Sequence, residues 1–138
     1  SFIVRDMLIT HAIEKAFENL DQNLLKEIKI PSCGSCLTGA LIIGTRLYVF
    51  NVGDSRTLLC RSGRIEIETK DHRPDVPEEW DRICGAGGLV LHGRVMGELA
   101  VSRAFGDFHL KDPSKLPNQN RPENSINERY PKGMMDRW

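Results

Sequence analysis

The sequence predicts an α+β fold, and three observations carry that expectation. A helix-period apolar stripe fills the first part of the chain. Apolar and alternating runs joined by tight turns fill the middle, and a second short helical stretch separates them from a glycine-rich run.

The first helix rests on Ile9, Ile13, Phe17, Leu20 and Leu24, which recur at steps of 4, 4, 3 and 4 and share one face. Glu14, Lys15, Glu18, Gln22 and Lys26 fall on the solvated side. Pro31 closes the helical space by restricting Ile30. The period then changes. "CLTGALIIG" and "RLYVFNVG" are apolar runs parted by Gly44-Thr45, and "RTLLCR" and "RIEIET" are parted by Ser62-Gly63. A strand meander is expected. Its near-continuous apolar strands should be covered on both faces, and the solvent-facing one should alternate Ile65 and Ile67 with Glu66 and Glu68.

"RPDVPEEWDRICGAGG" reads as a short helix. Asp75 or a neighbour caps it, Pro77 sits in its first turn, and Glu78 and Glu79 suit that end of the helix dipole. Trp80, Ile83 and Cys84 form its apolar face, and Gly85, Gly87 and Gly88 stop it. "LVLHGRVMGELAVSRAFGD" follows as short strands with glycine turns. From Asp112 four prolines, and three asparagines before Ser125, mark an irregular extended segment or insertion over 112–138. No internal repeat is present.

Lys and Arg total 19, as do Asp and Glu, so the formal net charge is zero. Nothing in that balance draws the chain to nucleic acid. No apolar run approaches the ~20 residues of a membrane span. Residues 1–20 are interrupted by Arg5, Asp6, His11, Glu14 and Lys15, unlike a secretory signal, and the chain opens on Ser1 instead of an initiator methionine. An intracellular protein, cytoplasmic or nuclear, with reduced thiols is expected.

Cys33 and Cys36 form a C-x-x-C pair. A redox pair would sit at the start of an amphipathic helix, whereas a strand-like run follows Cys36. A structural zinc site needs about four ligands, and no second C-x-x-C or H-x3-H is present. Cys60 belongs to a predicted strand and Cys84 to a predicted helix. Buried strand-end thiols are therefore the expectation for Cys33 and Cys36.

"LYVFNVGDSRTLLC" presents a carboxylate, Asp54, on a turn at a strand end. Such a turn suits a hard cation. It equally suits a hairpin closed by side-chain to backbone bonds.

The stretch from Ser32 to Asp107 resembles the middle of the PPM-type (type 2C) metal-dependent serine/threonine protein phosphatases. The small-residue strand start at 34–40, "NVGDSR" at 51–56, "DHRP" at 71–74, and "GG" with "RV.G.LAVSRAFGD" at 87–107 fall in the family's order. The resemblance covers about residues 9 to 111. It implies part of an α-β-β-α sandwich, two antiparallel sheets flanked by helices, with 1–111 the central part of the domain and 72–106 a flap-like segment. It implies two ions, Mg²⁺ or Mn²⁺, that activate a water for direct attack on phosphorus, and a phosphoprotein substrate.

Carried over by position, Asp54 matches a residue linked to an accessory third ion. His72, Arg73 and Arg94 lie in the flap that affects substrate access, although His72 also reads as a hydrogen-bonded structural histidine. Ser102, Arg103 and Asp107 match strongly patterned residues and are read first as structural. Cys36 stands where the family usually has threonine. The family's glutamate-aspartate strand, "DGHGG"-like turn, downstream Asp-Gly and late Asp-Asn do not occur in the 138 residues. No catalytic residue is therefore expected within the chain, and the chain alone is expected to be inactive. Two readings follow: the central portion of a working phosphatase, or a pseudophosphatase acting through protein partners.

Overall fold

The computed structural model describes residues 2–111. Helix α1 spans Phe2–Glu27. Strand β1 (Gly34–Ser35) leads into β2 (Leu37–Ile43), which pairs antiparallel with β3 (Arg46–Val52) in an unbroken register from Leu37↔Val52 to Ile43↔Arg46. β4 (Leu58–Arg61) pairs with β5 (Arg64–Glu68), with a register shift between Leu59 and Cys60. Helix α2 (Pro77–Gly85) precedes a small hairpin, β6 (Val90–Leu91) with β7 (Arg94–Val95). β8 (Phe105–Gly106) returns to pair with β1, and a 3-10 turn, Phe108–Leu110, ends the described chain. The architecture is mixed α+β with antiparallel sheets, as the sequence predicts.

Ile9, Ile13, Phe17 and Leu24 turn inward on α1 as their spacing requires, but Leu20 is exposed and Asp21 takes the inner position. The reason is polar. Asp21 accepts the Gly106 N–H at 2.8 Å and the Lys111 ammonium at 2.6 Å, so a carboxylate suits that level of the helix better than an alkyl chain. One turn earlier Phe17 packs edge-on against Phe50 of β3 (5.3 Å) and Phe105 of β8 (5.6 Å). At the helix's first turns Asp6 accepts from Arg46 and from the Tyr48 hydroxyl.

The expected continuous meander is replaced by two-stranded sheets, four of them among the described residues. Nor are the apolar strands covered on both faces: Leu41, Ile42 and Ile43 of β2 and Leu58 of β4 are exposed. Every residue of β5 is exposed, Ile65 and Ile67 included, so its alternation separates no inner face from an outer one. A two-stranded ribbon supplies its side chains with one neighbouring strand, and α1 covers only part of the β2–β3 pair. Residues 112–138, the expected irregular segment, lie outside the described residues.

α2 departs in part from expectation. Its N-cap is Val76, the neighbour of Asp75, but without a side-chain cap bond, and Asp75 is paired with Arg73. Pro77 does occupy the first turn. Trp80 is exposed, and the buried face consists of Glu79, Arg82 and Ile83. Ile83 joins Val90, Val95, Ala104 and Leu110 in the core, with Met96, Leu99 and Val101 packed against it. Full burial of Ile83 and Val95 contributes roughly 1.5–3 kcal/mol each.

Candidate functional site

β3 delivers Val52 into the interior and then turns at Gly53, which adopts φ 97. Two things require glycine here. The φ lies in the left-handed region, and a Cβ would overlap the Cys36 sulfur and approach the Arg103 carbonyl oxygen to 3.4 Å. Asp54 follows, exposed, with Oδ1 at 3.7 Å from Cys36 Sγ.

The turn is held from both sides. Gly53 donates its N–H to Nδ1 of His72 at 3.2 Å and accepts the His72 N–H at 2.9 Å. Asn51 Nδ2 donates to the Gly53 carbonyl at 2.9 Å and to that of Lys70 at 3.0 Å. Arg56, just past the turn, donates two parallel bonds to Asp71 at 2.9 and 2.8 Å and a further one to Glu68. Those bonds hold the Asp71 carboxyl below its usual range. His72 is half-buried. Burial, aided by the nearby Arg103 charge, pushes its imidazole below the usual range and favours the neutral ring. The bond from Gly53 makes Nδ1 the acceptor, so a neutral ring carries its proton on Nε2.

Behind His72 lies a buried ionic cluster. Glu79 accepts from Arg82 (2.8 Å) and from Arg103 (2.6 and 3.0 Å). Burial alone would raise the Glu79 pKa, but the two guanidinium groups outweigh it and hold it at about 2. The buried Ser102 hydroxyl also favours the anion, though short of a well-formed hydrogen bond. Arg82 also donates to the Ser102 carbonyl at 2.7 Å, and Ser102 N–H donates to the His72 carbonyl at 2.9 Å.

The remaining candidates are spread around this centre. Arg73 is exposed and bonded to Asp75 at 3.1 and 3.2 Å. Arg94, on the β6–β7 hairpin, donates to the Glu98 carbonyl at 2.7 Å. Asp107 is buried with φ 47, donates its N–H to the Cys33 carbonyl at 2.9 Å and sets its carboxylate directly over Gly34. Burial pushes its carboxyl up. Cys33 is exposed and Cys36 half-buried, so the expectation that both are buried is corrected. The short β1 strand pairs with a two-residue partner that cannot cover Cys33. The structure thus joins Asp54, His72, Ser102 and Arg103 through hydrogen bonds and contacts about Gly53.

Two residues of this centre were not singled out from the sequence as site residues. Read locally, Glu79 suits dipole compensation, although its i,i+3 spacing to Arg82 is a usable signal. Asn51, inside an apolar strand, has its signal only as the first residue of the family-like "NVGDSR".

The order and spacing of these pieces match the family model for protein phosphatase 2C over residues 4–132. The chain belongs to the protein phosphatase 2C family. It is 46% identical over 104 residues to "Probable protein phosphatase 2C 45" of Oryza sativa, a match covering 72% of this chain and 37% of that protein. It is 45% identical over 105 residues to "Protein phosphatase 2C homolog 2" of Hypocrea jecorina, covering 76% of this chain and 23% of that protein. The chain therefore spans well under half the length of these relatives. A phosphatase structure from Toxoplasma gondii shares the fold with TM-score 0.53 and 24% identity, over 76% of this chain and 48% of that one.

The metal ions associated with the family need several oxygen ligands each, and a bridged pair needs shared carboxylates. Among the described residues no group of three or more His, Cys, Asp or Glu could hold a metal ion. Asp54 has a thiol beside it and, among the described residues, belongs to no such group. These residues do not fit a binuclear centre. Among the described residues no helix is long and apolar enough to cross a membrane.

Proposed function

We propose that this chain is the central portion of a phosphoserine/phosphothreonine protein phosphatase of the 2C family. It contributes scaffold and flap, while the residues that hold the Mg²⁺ or Mn²⁺ pair belong to other parts of the domain. The observation that carries the reading is the Gly53–Asp54 turn, which is clamped by the "DHRP" segment and backed by the buried Ser102 and half-buried Arg103 of "AVSRAFGD". Family sequence motifs that are far apart in the chain meet at Gly53, next to the exposed Asp54.

In this reading Asp54 tunes activity and is not part of the bridging pair, because one carboxylate offers one or two of the about six oxygens that such an ion requires. His72, Arg73 and Arg94 border substrate access, and Ser102, Arg103 and Asp107 hold the frame. The substrate is a phosphoprotein, and the free thiols suit an intracellular, cytoplasmic or nuclear setting. The alternative reading is a pseudophosphatase that works through protein partners, and it draws on the absence of a ligand set among the described residues.

The test has two arms. The 138-residue chain should release no phosphate from a phosphopeptide at millimolar Mn²⁺, and turnover that survives repurification would overturn the assignment of catalysis to other parts of the domain. A coding sequence with an upstream Asp-Gly and downstream Asp-Gly and Asp-Asn, whose product shows metal-dependent release, supports the phosphatase reading. A coding sequence lacking them supports the pseudophosphatase.

A further inference from the structure

Gly53 is a meeting point of four chain segments. Cys36 and the Arg103 carbonyl pack against its Cα, Asn51 bonds its carbonyl, and His72 bonds both its N–H and its carbonyl. His72 is unusual among these in facing two ways. Its ring and its N–H hold Gly53, while its own carbonyl receives the N–H of Ser102. Ser102 is fully buried, and its carbonyl is fixed by Arg82, which shares Glu79 with Arg103. An unbroken series of hydrogen bonds therefore runs from the Asp54 turn through His72 and Ser102 to Glu79 on α2.

We infer that His72 is a positioning residue that couples the Asp54 turn to the block formed by α2, Ser102 and Arg103. A displacement of that block is felt at Asp54, and a constraint at Asp54 is felt in the block, since coupling between two positions is reciprocal. The chemistry of the residue matters. Asn has a carbonyl oxygen where His has Nδ1 and can accept the Gly53 N–H. Gln carries its oxygen one bond further out, and Leu has no acceptor. A histidine that merely filled space would be replaced by Leu as well as by Asn. The consequence for phosphate release rests on the role proposed for Asp54. The coupling itself does not, and its test needs no enzymatic activity.

The test is NMR on the full 138-residue chain, reading the Gly53 amide exchange rate against that of Val52 and the Asp54 amide chemical shift. In His72→Leu and His72→Gln the Gly53 amide should exchange about tenfold faster relative to Val52, while His72→Asn should stay within about threefold of the parent. Arg82→Lys, which keeps the charge but alters the bond to Ser102, should shift the Asp54 amide. That shift should fall by about half or more when combined with His72→Gln, the signature of an interaction between the two sites. Equal Gly53 exchange in the Asn and Gln variants overturns the inference. So does an Arg82→Lys shift that is absent, or that is as large without the ring bond as with it. If His72→Leu does not fold, the Asn and Gln pair decides alone.

Discussion

The strands of residues 37–68 and the loop-rich segment of residues 72–110 differ in a way their secondary structure does not announce. The first has the regular ladders, including the seven-residue pairing of β2 with β3. Yet of the seven buried hydrophobic residues found among the described residues, Val52 alone lies there, and the other six fall between Ile83 and Leu110. The second region has two-residue strands and one short helix, but it buries Glu79, Arg82, Ser102 and Asp107 as well. Backbone pairing satisfies polar groups without covering side chains, whereas a tight knot of loops must cover its backbone and bond what it covers. Cohesion in this molecule therefore follows buried polar chemistry more than strand regularity.

The sharpest way to break that contrast is to remove one ion from each region. Glu79→Gln leaves the buried Arg82 and the half-buried Arg103 without their shared carboxylate and should cost roughly 3–5 kcal/mol, enough to unfold much of the chain. Glu66→Gln on β5 breaks an exposed pair with Arg61 and should change stability by about 0.5 kcal/mol or less. Urea denaturation compares the two, and equal midpoints would remove the distinction between the regions.

Acid should reproduce the first effect reversibly. Glu79 sits at about 2 in the folded chain and at its ordinary 4.5 when unfolded, so the unfolded state binds the extra proton between those values. Its contribution, on the order of 3 kcal/mol, is complete above pH 4.5 and is lost progressively as pH falls toward 2. The fall in stability over that window should be shallower in a Glu79→Gln variant that retains its fold, as measured by thermal melts at stepped pH.

Phe17 sharpens the comparison because it touches both regions, Phe50 on one side and Phe105 on the other. Phe17→Ala removes both edge contacts but starts from a half-buried ring, so about 2 kcal/mol is expected, less than a fully buried phenylalanine would cost. Amide exchange should quicken in β3 and β8 together. Loss confined to β3 would show that the helix does not join the two regions.

Much of the fold was legible because its signals are local. The 3.6-residue stripe of Ile9, Ile13 and Phe17, the turns at Gly44 and Ser62-Gly63, and Pro77 at a helix start each depend on neighbours within a few positions. What was not legible is long-range. Asp21 in place of Leu20 follows from Gly106 and Lys111, some 85 and 90 positions away. Glu79 in place of Trp80 follows from Arg103, 24 positions on. At the candidate site the sequence patterns pointed to Asp54, His72 and Arg103 individually. The contact of Gly53 with Cys36, His72 and Arg103 depends on a φ of 97 and a missing Cβ, which single-sequence periodicity does not encode.

A smaller effect than at Phe17 is expected at the cysteines, which lie where the two regions touch. Cys36 packs on Gly53 with its sulfur 3.7 Å from Asp54 Oδ1. Burial raises its pKa, and the Asp54 charge adds to this despite an opposing backbone hydrogen bond. The thiol therefore stays protonated at neutral pH, which disfavours it as nucleophile and as metal ligand. Cys33 is exposed, and neither cysteine belongs to a metal-binding group among the described residues. Replacing Cys33 by Ser and Cys36 by Thr should leave redox behaviour and metal content unchanged and shift stability by about 1 kcal/mol or less, since the threonine must fit the space that the sulfur fills beside Gly53. Mass spectrometry under oxidising and reducing conditions, with metal analysis of the purified protein, checks this. Stoichiometric zinc lost on replacement would overturn it. A stability loss of several kcal/mol without such a change would instead make Cys36 part of the packing that fixes the Asp54 turn, and would place the border between the two regions among their most tightly held parts.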